Sequence, residues 1–240
     1  MSEMSLLIAT RNAHKAGEIR AILGDRFQFV TLNDFPDAPK VVEDAATFAG
    51  NATKKAVQLA KWLVEKHSTF NIQRSTPKFV LADDSGLEVD ALNGAPGVHS
   101  ARFAALDSAK SGNTPDAENN ARLLRLLKDV PPEKRTARFH CVIALTPVLP
   151  EKVEVASPVC YADEFETQTE VIDGVCAGRI LFAPRGQNGF GYDPLFVPIG
   201  FEQTFAELGD EVKNKLSHRA QALAKLKRRL DSVVADKPAV

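Results

Sequence analysis

Two adjacent carboxylates, Asp83 and Asp84, interrupt the run Phe79-Val-Leu-Ala-Asp-Asp-Ser-Gly-Leu-Glu-Val-Asp90. Hard cations take such oxygens as ligands, and a carboxylate held near Mg2+ can also orient or deprotonate a water. The apolar stretch Phe79 to Ala82 predicts a buried strand, Ser85-Gly86 predicts a turn, and the alternation of Leu87, Val89 and Ala91 predicts a second strand. Neighbouring residues of a strand face opposite ways, so one carboxylate can enter a cleft while the other is satisfied locally. Taken alone, Asp-Asp-Ser-Gly reads first as an ordinary hairpin turn.

Three further stretches carry chemistry. Leu6 to Thr10 predicts a first buried strand, followed by Arg11, Asn12, Ala13, His14 and Lys15 and then a helix with Ala16, Ile19, Ile22 and Leu23 on one face. The N–H groups at such a helix start form an anion site, with Thr10 and Asn12 able to cap and Lys15 within the first turns. The loop lacks the glycine spacing of a Walker or dinucleotide motif. Between Arg179 and Phe196, Gly186, Gly189 and Gly191 surround Phe190, which suits either an aromatic face offered to a base or a turn with Phe190 in the core. Finally, Ser217 predicts an N-cap for a last helix carrying Ala220, Leu223, Leu226 and Leu230. His218 and Arg219 then lie where the helix dipole disfavours positive charge, so an anion or a carboxylate is expected beside them.

These residues need elements to hold them. Phe27 to Leu32 predicts a strand, and a helix opened by Thr47 carries Ala52, Ala56, Leu59, Ala60 and Leu63, with Asn51 and Lys55 four residues apart on one face. The polar segment His67 to Lys78 reads as a surface loop. Thr114-Pro115 reads as an N-cap and first residue of a helix through Lys128. Strands are expected over Thr136 to Thr146, Val153 to Ala162 and Glu164 to Ile172, and Glu207 to Leu216 reads as a polar helix. One domain over residues 1–232 is expected, with 233–240 a frayed tail that begins to loosen at Asp231.

Composition narrows the classes. The 240 residues are 44% hydrophobic and 25% charged, with 30 Lys and Arg against 31 Asp and Glu, a net charge of −1. No global field favours nucleic acid or membrane as partner, so an anion site must be built locally. Cys141, Cys160 and Cys176 are odd in number and widely spaced, which argues against a zinc site or disulfide framework and fits a cytoplasmic setting. No stretch approaches the ~18 apolar residues of a spanning helix. No Ser-His-Asp or Cys-His constellation points to a covalent intermediate.

Six collinear motifs resemble the inosine triphosphate pyrophosphatase family: residues 9–15, Glu43 with Thr47-Phe48 and Asn51 to Ala56, residues 82–87, 94–102 and 189–194, and Lys213 with Ser217-His218-Arg219. The match runs from about Leu6 to Leu230. The chain departs from it at Arg11, where many members carry Gly, at Glu43-Asp44-Ala45, and in a longer segment over 67–78. The resemblance implies an α/β fold with a long central mixed β-sheet flanked by helices, and two lobes with the active-site cleft between them. It implies a homodimer, Mg2+, and hydrolysis of non-standard purine nucleoside triphosphates (ITP, dITP, XTP) to the monophosphate and pyrophosphate. Carried over residue by residue, Thr10 to Lys15 form the phosphate loop, in which Thr10, Asn12 and Lys15 hold the triphosphate, and Lys55 assists. Glu43 and Asp84 reach the metal, Asp84 also being the base, and Ser85 touches the substrate. Phe190, in the run Phe190-Gly191-Tyr192-Asp193, stacks on the purine; Asp193 and Arg219 read its edge with His218, and Lys213 supports it. A Maf-like pyrophosphatase with another base preference and a nucleotide-binding regulator without turnover are the alternatives.

Overall fold

The computed structural model describes residues 4–68, 77–107, 112–148 and 163–235. Six strands form one sheet in the order β2-β1-β3-β4-β5-β6: β1 (Met4–Ile8), β2 (Phe27–Thr31), β3 (Phe79–Val89), β4 (Thr136–Pro147), β5 (Glu170–Ile180) and β6 (Phe196–Pro198). The sheet is mixed, since β1 runs parallel to β2 and β3 while β5 and β6 are antiparallel. The helices are α1 (Ala13–Leu23), α2 (Phe48–Ser68), α3 (Asp116–Leu126), α4 (Glu164–Thr167), α5 (Phe205–Leu216) and α6 (His218–Ala235). Among the described residues no helix is long and apolar enough to cross a membrane.

The described residues fall into two compact units, one within Met1–Asp84, Val142–Ile172 and Leu223–Val240, the other within Ser85–Cys141 and Asp173–Ala222. In the first, α1 and α2 are the crossovers that let β1 pair in parallel with β2 and then with β3. α2 carries a buried stripe at helical spacing, Ala52, Ala56, Leu59, Ala60 and Leu63, and Leu6, Leu7 and Ile8 of β1 are buried in the same unit. Each fully buried Leu or Ile contributes roughly 1.5–3 kcal/mol.

The core of the second unit gathers Leu87, Val89, Phe103, Leu123, Phe139, Ile180, Tyr192, Phe196 and Phe205. Phe139 packs 4.7 Å from Phe196 and stacks on His218 at 4.8 Å with the rings 14° apart. A Cβ on Gly174 of β5 would lie 2.1 Å from the His218 carbonyl oxygen and 2.5 Å from the Ala222 nitrogen. Only glycine admits the first turn of α6 that close, and this approach sets the position of His218 and Arg219.

Four expectations are corrected. β3 does not turn at Ser85-Gly86 but continues to Val89, because its second half finds partners: Leu87 N–H donates to Ser100 Oγ, Val89 N–H to the Ala95 carbonyl, and Glu88 bridges Pro96. Glu164 to Ile172 is not one strand. Asp163 caps the Phe165 N–H at 3.0 Å and opens the short α4, and β5 begins at Glu170. Pro115, not Thr114, is the N-cap of α3, since the Thr114 hydroxyl is bound to Asn119 Oδ1. α6 runs on to Ala235 where fraying from Asp231 was expected. The expected strand Val153 to Ala162, most of the His67 to Lys78 loop and the last residues of the tail lie outside the described residues.

Candidate active site

The first cluster lies where the strand order reverses. β1 has β2 on one side and β3 on the other, and ligands of open parallel sheets bind off the carboxyl ends of strands at such a point. Ala9 N–H donates to the Leu81 carbonyl at 2.8 Å, so the loop after β1 and the Asp83-Asp84 stretch of β3 emerge side by side. Asn12 caps α1, its Oδ1 accepting from His14 N–H at 2.9 Å and Lys15 N–H at 3.2 Å, and Thr10 Oγ1 accepts from Asn12 N–H at 3.1 Å. Ala13 and His14 are exposed, and Arg11, also exposed, reaches the Ala38 carbonyl.

Three carboxylates meet two ammonium groups here. Lys15 Nζ is 3.2 Å from Asp83 Oδ2. Lys55 Nζ pairs with Glu43 Oε1 and lies 3.4 Å from the Asp83 carbonyl oxygen. Asp83 and Asp84 are 3% and 8% exposed. Burial pushes the Asp84 carboxyl above the ordinary carboxylate range, with the Asn51 hydrogen bond and Lys15 opposing it and Glu43 adding to it. Burial also works against the Lys55 ammonium, but Glu43, Asp83 and Asp84 outweigh it and hold Lys55 above its ordinary value. An acidic excess in a buried place is suited to a small hard cation. Among the described residues no three His, Cys, Asp or Glu side chains are grouped so as to hold a metal ion by themselves.

Asn51 belongs to this cluster although its chemistry alone did not mark it. Its Nδ2 donates to Asp84 Oδ2 at 2.9 Å and its Oδ1 accepts from Ala45 N–H at 2.9 Å, so one buried side chain ties the Glu43 segment to Asp84. The signal in the sequence was its four-residue spacing from Lys55 on α2.

The second cluster begins at the next residue. Ser85 Oγ accepts from Arg219 Nη2 at 2.9 Å, and Arg219 is 1% exposed. Phe190 is half-buried, neither in the core nor fully exposed. Lys213 Nζ stands 4.3 Å from its ring centre and the Arg219 guanidinium 6.0 Å. Asp193 Oδ2 accepts from Phe190 N–H at 2.9 Å and from Lys213 Nζ at 2.6 Å. That carboxylate is the reason for Gly189, where a Cβ would lie 2.2 Å from it. Tyr192 turns into the core and donates to the Ser100 carbonyl at 2.9 Å, and burial, with Asp116 adding, raises its titration. Ser217 Oγ accepts from Ala220 N–H at 3.1 Å, confirming the expected cap.

The mixed sheet flanked by helices is an α/β fold, with a charged cluster in the first unit and an aromatic and basic cluster in the second. The sequence profile of the Ham1 family matches residues 6–229, and the chain belongs to that family. A dITP/XTP pyrophosphatase of Geobacillus kaustophilus is 44% identical over 233 residues, 97% of either chain. Another, of Desulforamulus reducens, is 44% identical over 223 residues, 92% of this chain and 93% of the relative. The solved HAM1 protein of Coxiella burnetii is similar with a TM-score of 0.72 at 34% identity, over 95% of this chain and 99% of that one.

Proposed function

We propose that this protein hydrolyses ITP, dITP and XTP to the nucleoside monophosphate and pyrophosphate. The observation that carries the reading is the Asp84–Ser85 junction. One peptide bond separates a buried carboxylate set among lysines from a serine bound to a buried arginine beside an aromatic ring. The relatives' names, dITP/XTP pyrophosphatase, support it.

In this reading Thr10, Asn12, Lys15 and Lys55 receive the triphosphate at the start of α1, and Glu43 and Asp84 supply oxygens for Mg2+. Bound there, Mg2+ would neutralise charge on the phosphate oxygens. Asp84 orients the attacking water, and burial suits it to accept a proton. The water oxygen forms a bond to the α-phosphorus, its proton passes to Asp84, and the bond from that phosphorus to the bridging oxygen breaks. Pyrophosphate leaves with the electron pair. Lys15 and Lys55 exchange their carboxylate partners for phosphate oxygens, so catalysis is mainly positioning and neutralisation.

Phe190 stacks on the purine with Lys213 against its ring, Asp193 holding both, and Ser85 and His218 line the same place. Arg219 donates to the 6-keto oxygen; adenine offers an amino group there and leaves that donor unpaired. Two lobes around one substrate, a homodimer and a cytoplasmic setting belong to the same proposal and rest on family membership. Pyrophosphate release with Mg2+ and ITP, dITP, XTP or ATP tests it: the first three are expected to turn over far faster than ATP. Preference for another base would favour a Maf-like enzyme, and binding without release a regulator.

A further inference from the structure

We infer that Asp116 and Asn120, on the first turns of α3, are positioning residues that fix the aromatic platform by clamping Gly191. The inference rests on the reading of Phe190 as the surface that takes the base. Gly191 N–H donates to Asp116 Oδ2 at 2.6 Å, and the Gly191 carbonyl accepts from Asn120 Nδ2 at 3.0 Å. The two side chains are four residues apart and share one helix face. Phe190 N–H is taken by Asp193 Oδ2 and the Phe190 carbonyl by Asp193 N–H at 3.3 Å. Three successive peptide groups around Phe190 are therefore held, two of them from α3.

A ring on a glycine-flanked loop would otherwise sample many directions, and ordering it on binding would cost affinity. Fixing its backbone beforehand removes that cost. α3 is a firm base for the clamp: Asn119 Oδ1 accepts from Ala104 N–H at 2.8 Å, Arg122 binds the Phe103 carbonyl and pairs with Asp107, and Leu123 is fully buried. Asn120 is a poor choice for stability alone. Its Oδ1 is buried with no hydrogen-bond partner among the described residues, a loss that an apolar residue would avoid. The bond from its other end to Gly191 is what the asparagine provides.

The test compares ligands with and without a base in the full-length protein with Mg2+. Calorimetry would measure IMP and inorganic tripolyphosphate binding by the parent, Asp116→Ala, Asp116→Asn, Asn120→Ala and Phe190→Ala, with a melting curve for each. Asp116→Ala and Asn120→Ala are expected to weaken IMP roughly tenfold and to leave tripolyphosphate within about twofold of the parent. Asp116→Asn keeps an acceptor for Gly191 N–H and is expected to bind like the parent, which separates the clamp from the charge on α3. In a Phe190→Ala background the Asp116→Ala loss is expected to vanish, because the clamp acts through that ring. Additive losses, or equal weakening of tripolyphosphate, would overturn the clamp. If Phe190→Ala itself leaves IMP binding unchanged, the platform reading fails first and the clamp with it.

Discussion

Asp84 sits where an ionised carboxylate is costly, and that cost separates catalysis from stability. Burial raises its titration above the ordinary range. A group raised in this way contributes stability in acid and loses it as pH climbs from its ordinary titration through the raised one. At neutral pH its charge therefore works against the fold. Asp84→Asn is expected to melt no lower than the parent in metal-free buffer while turnover of ITP falls about 10²–10⁴-fold. Near-parental turnover at saturating Mg2+ in a well-folded variant would exclude Asp84 as the base. Lys55 behaves in the opposite sense. Burial opposes its charge, but Glu43, Asp83 and Asp84 hold it protonated, so its contribution is complete at neutral pH and fades only as pH rises through its raised alkaline titration. Lys55→Ala is expected to lower the melting temperature at pH 7. Lys55→Ala and Lys15→Ala should also each weaken ITP much more than IMP, which lacks the β- and γ-phosphates. Equal losses in calorimetry would remove both lysines from the phosphate cradle.

At the scale of elements, the docking of α6 on β5 through Gly174 invites a direct probe. Gly174→Ala places a methyl against the His218 carbonyl and is expected to cost about 1–3 kcal/mol, measured by denaturant melting. It should also lower the ITP-to-ATP ratio of kcat/KM, because His218 and Arg219 move with the turn. A stable variant with an unchanged ratio would show that the turn tolerates displacement. The long, patterned elements were legible in the sequence: the apolar run of β1, the alanine and leucine stripe of α2 and the Ser217 cap are local signals. The continuation of β3 through Ser85-Gly86 was not, because it depends on Ser100 and Ala95, which local turn preference ignores. α4 was not legible because it is a single turn opened by the Asp163 cap, and the residues after it carry a strand pattern. The charged residues of the site could be named from motifs, and Asn51 stood in one of them without a role of its own, whereas Asp116 and Asn120 carried no signal. Their role is to hold other residues, and only the geometry shows which.

For the whole molecule, the proposed division of labour predicts that affinity, base preference and bond cleavage can be disturbed separately. Phe190→Ala is expected to weaken nucleotide binding by roughly 1–3 kcal/mol, and Arg219→Ala to reduce the preference for ITP over ATP rather than slow both alike. An unchanged ITP-to-ATP ratio of kcat/KM in Arg219→Ala would withdraw the base-reading role from that residue. The two compact units are not consecutive stretches of chain: the boundary falls at Asp84–Ser85, Cys141–Val142, Ile172–Asp173 and Ala222–Leu223. The unit holding Asp84 is completed by a distant segment, because Leu223, Leu226 and Leu230 of α6 are among its buried residues. A chain ending at Ala222 is expected to show no cooperative melting, although it would contain every residue assigned to phosphate, metal and base. The stretches that carry Lys15, Lys55 and Asp84 therefore depend for part of their core on a helix far along the chain from them.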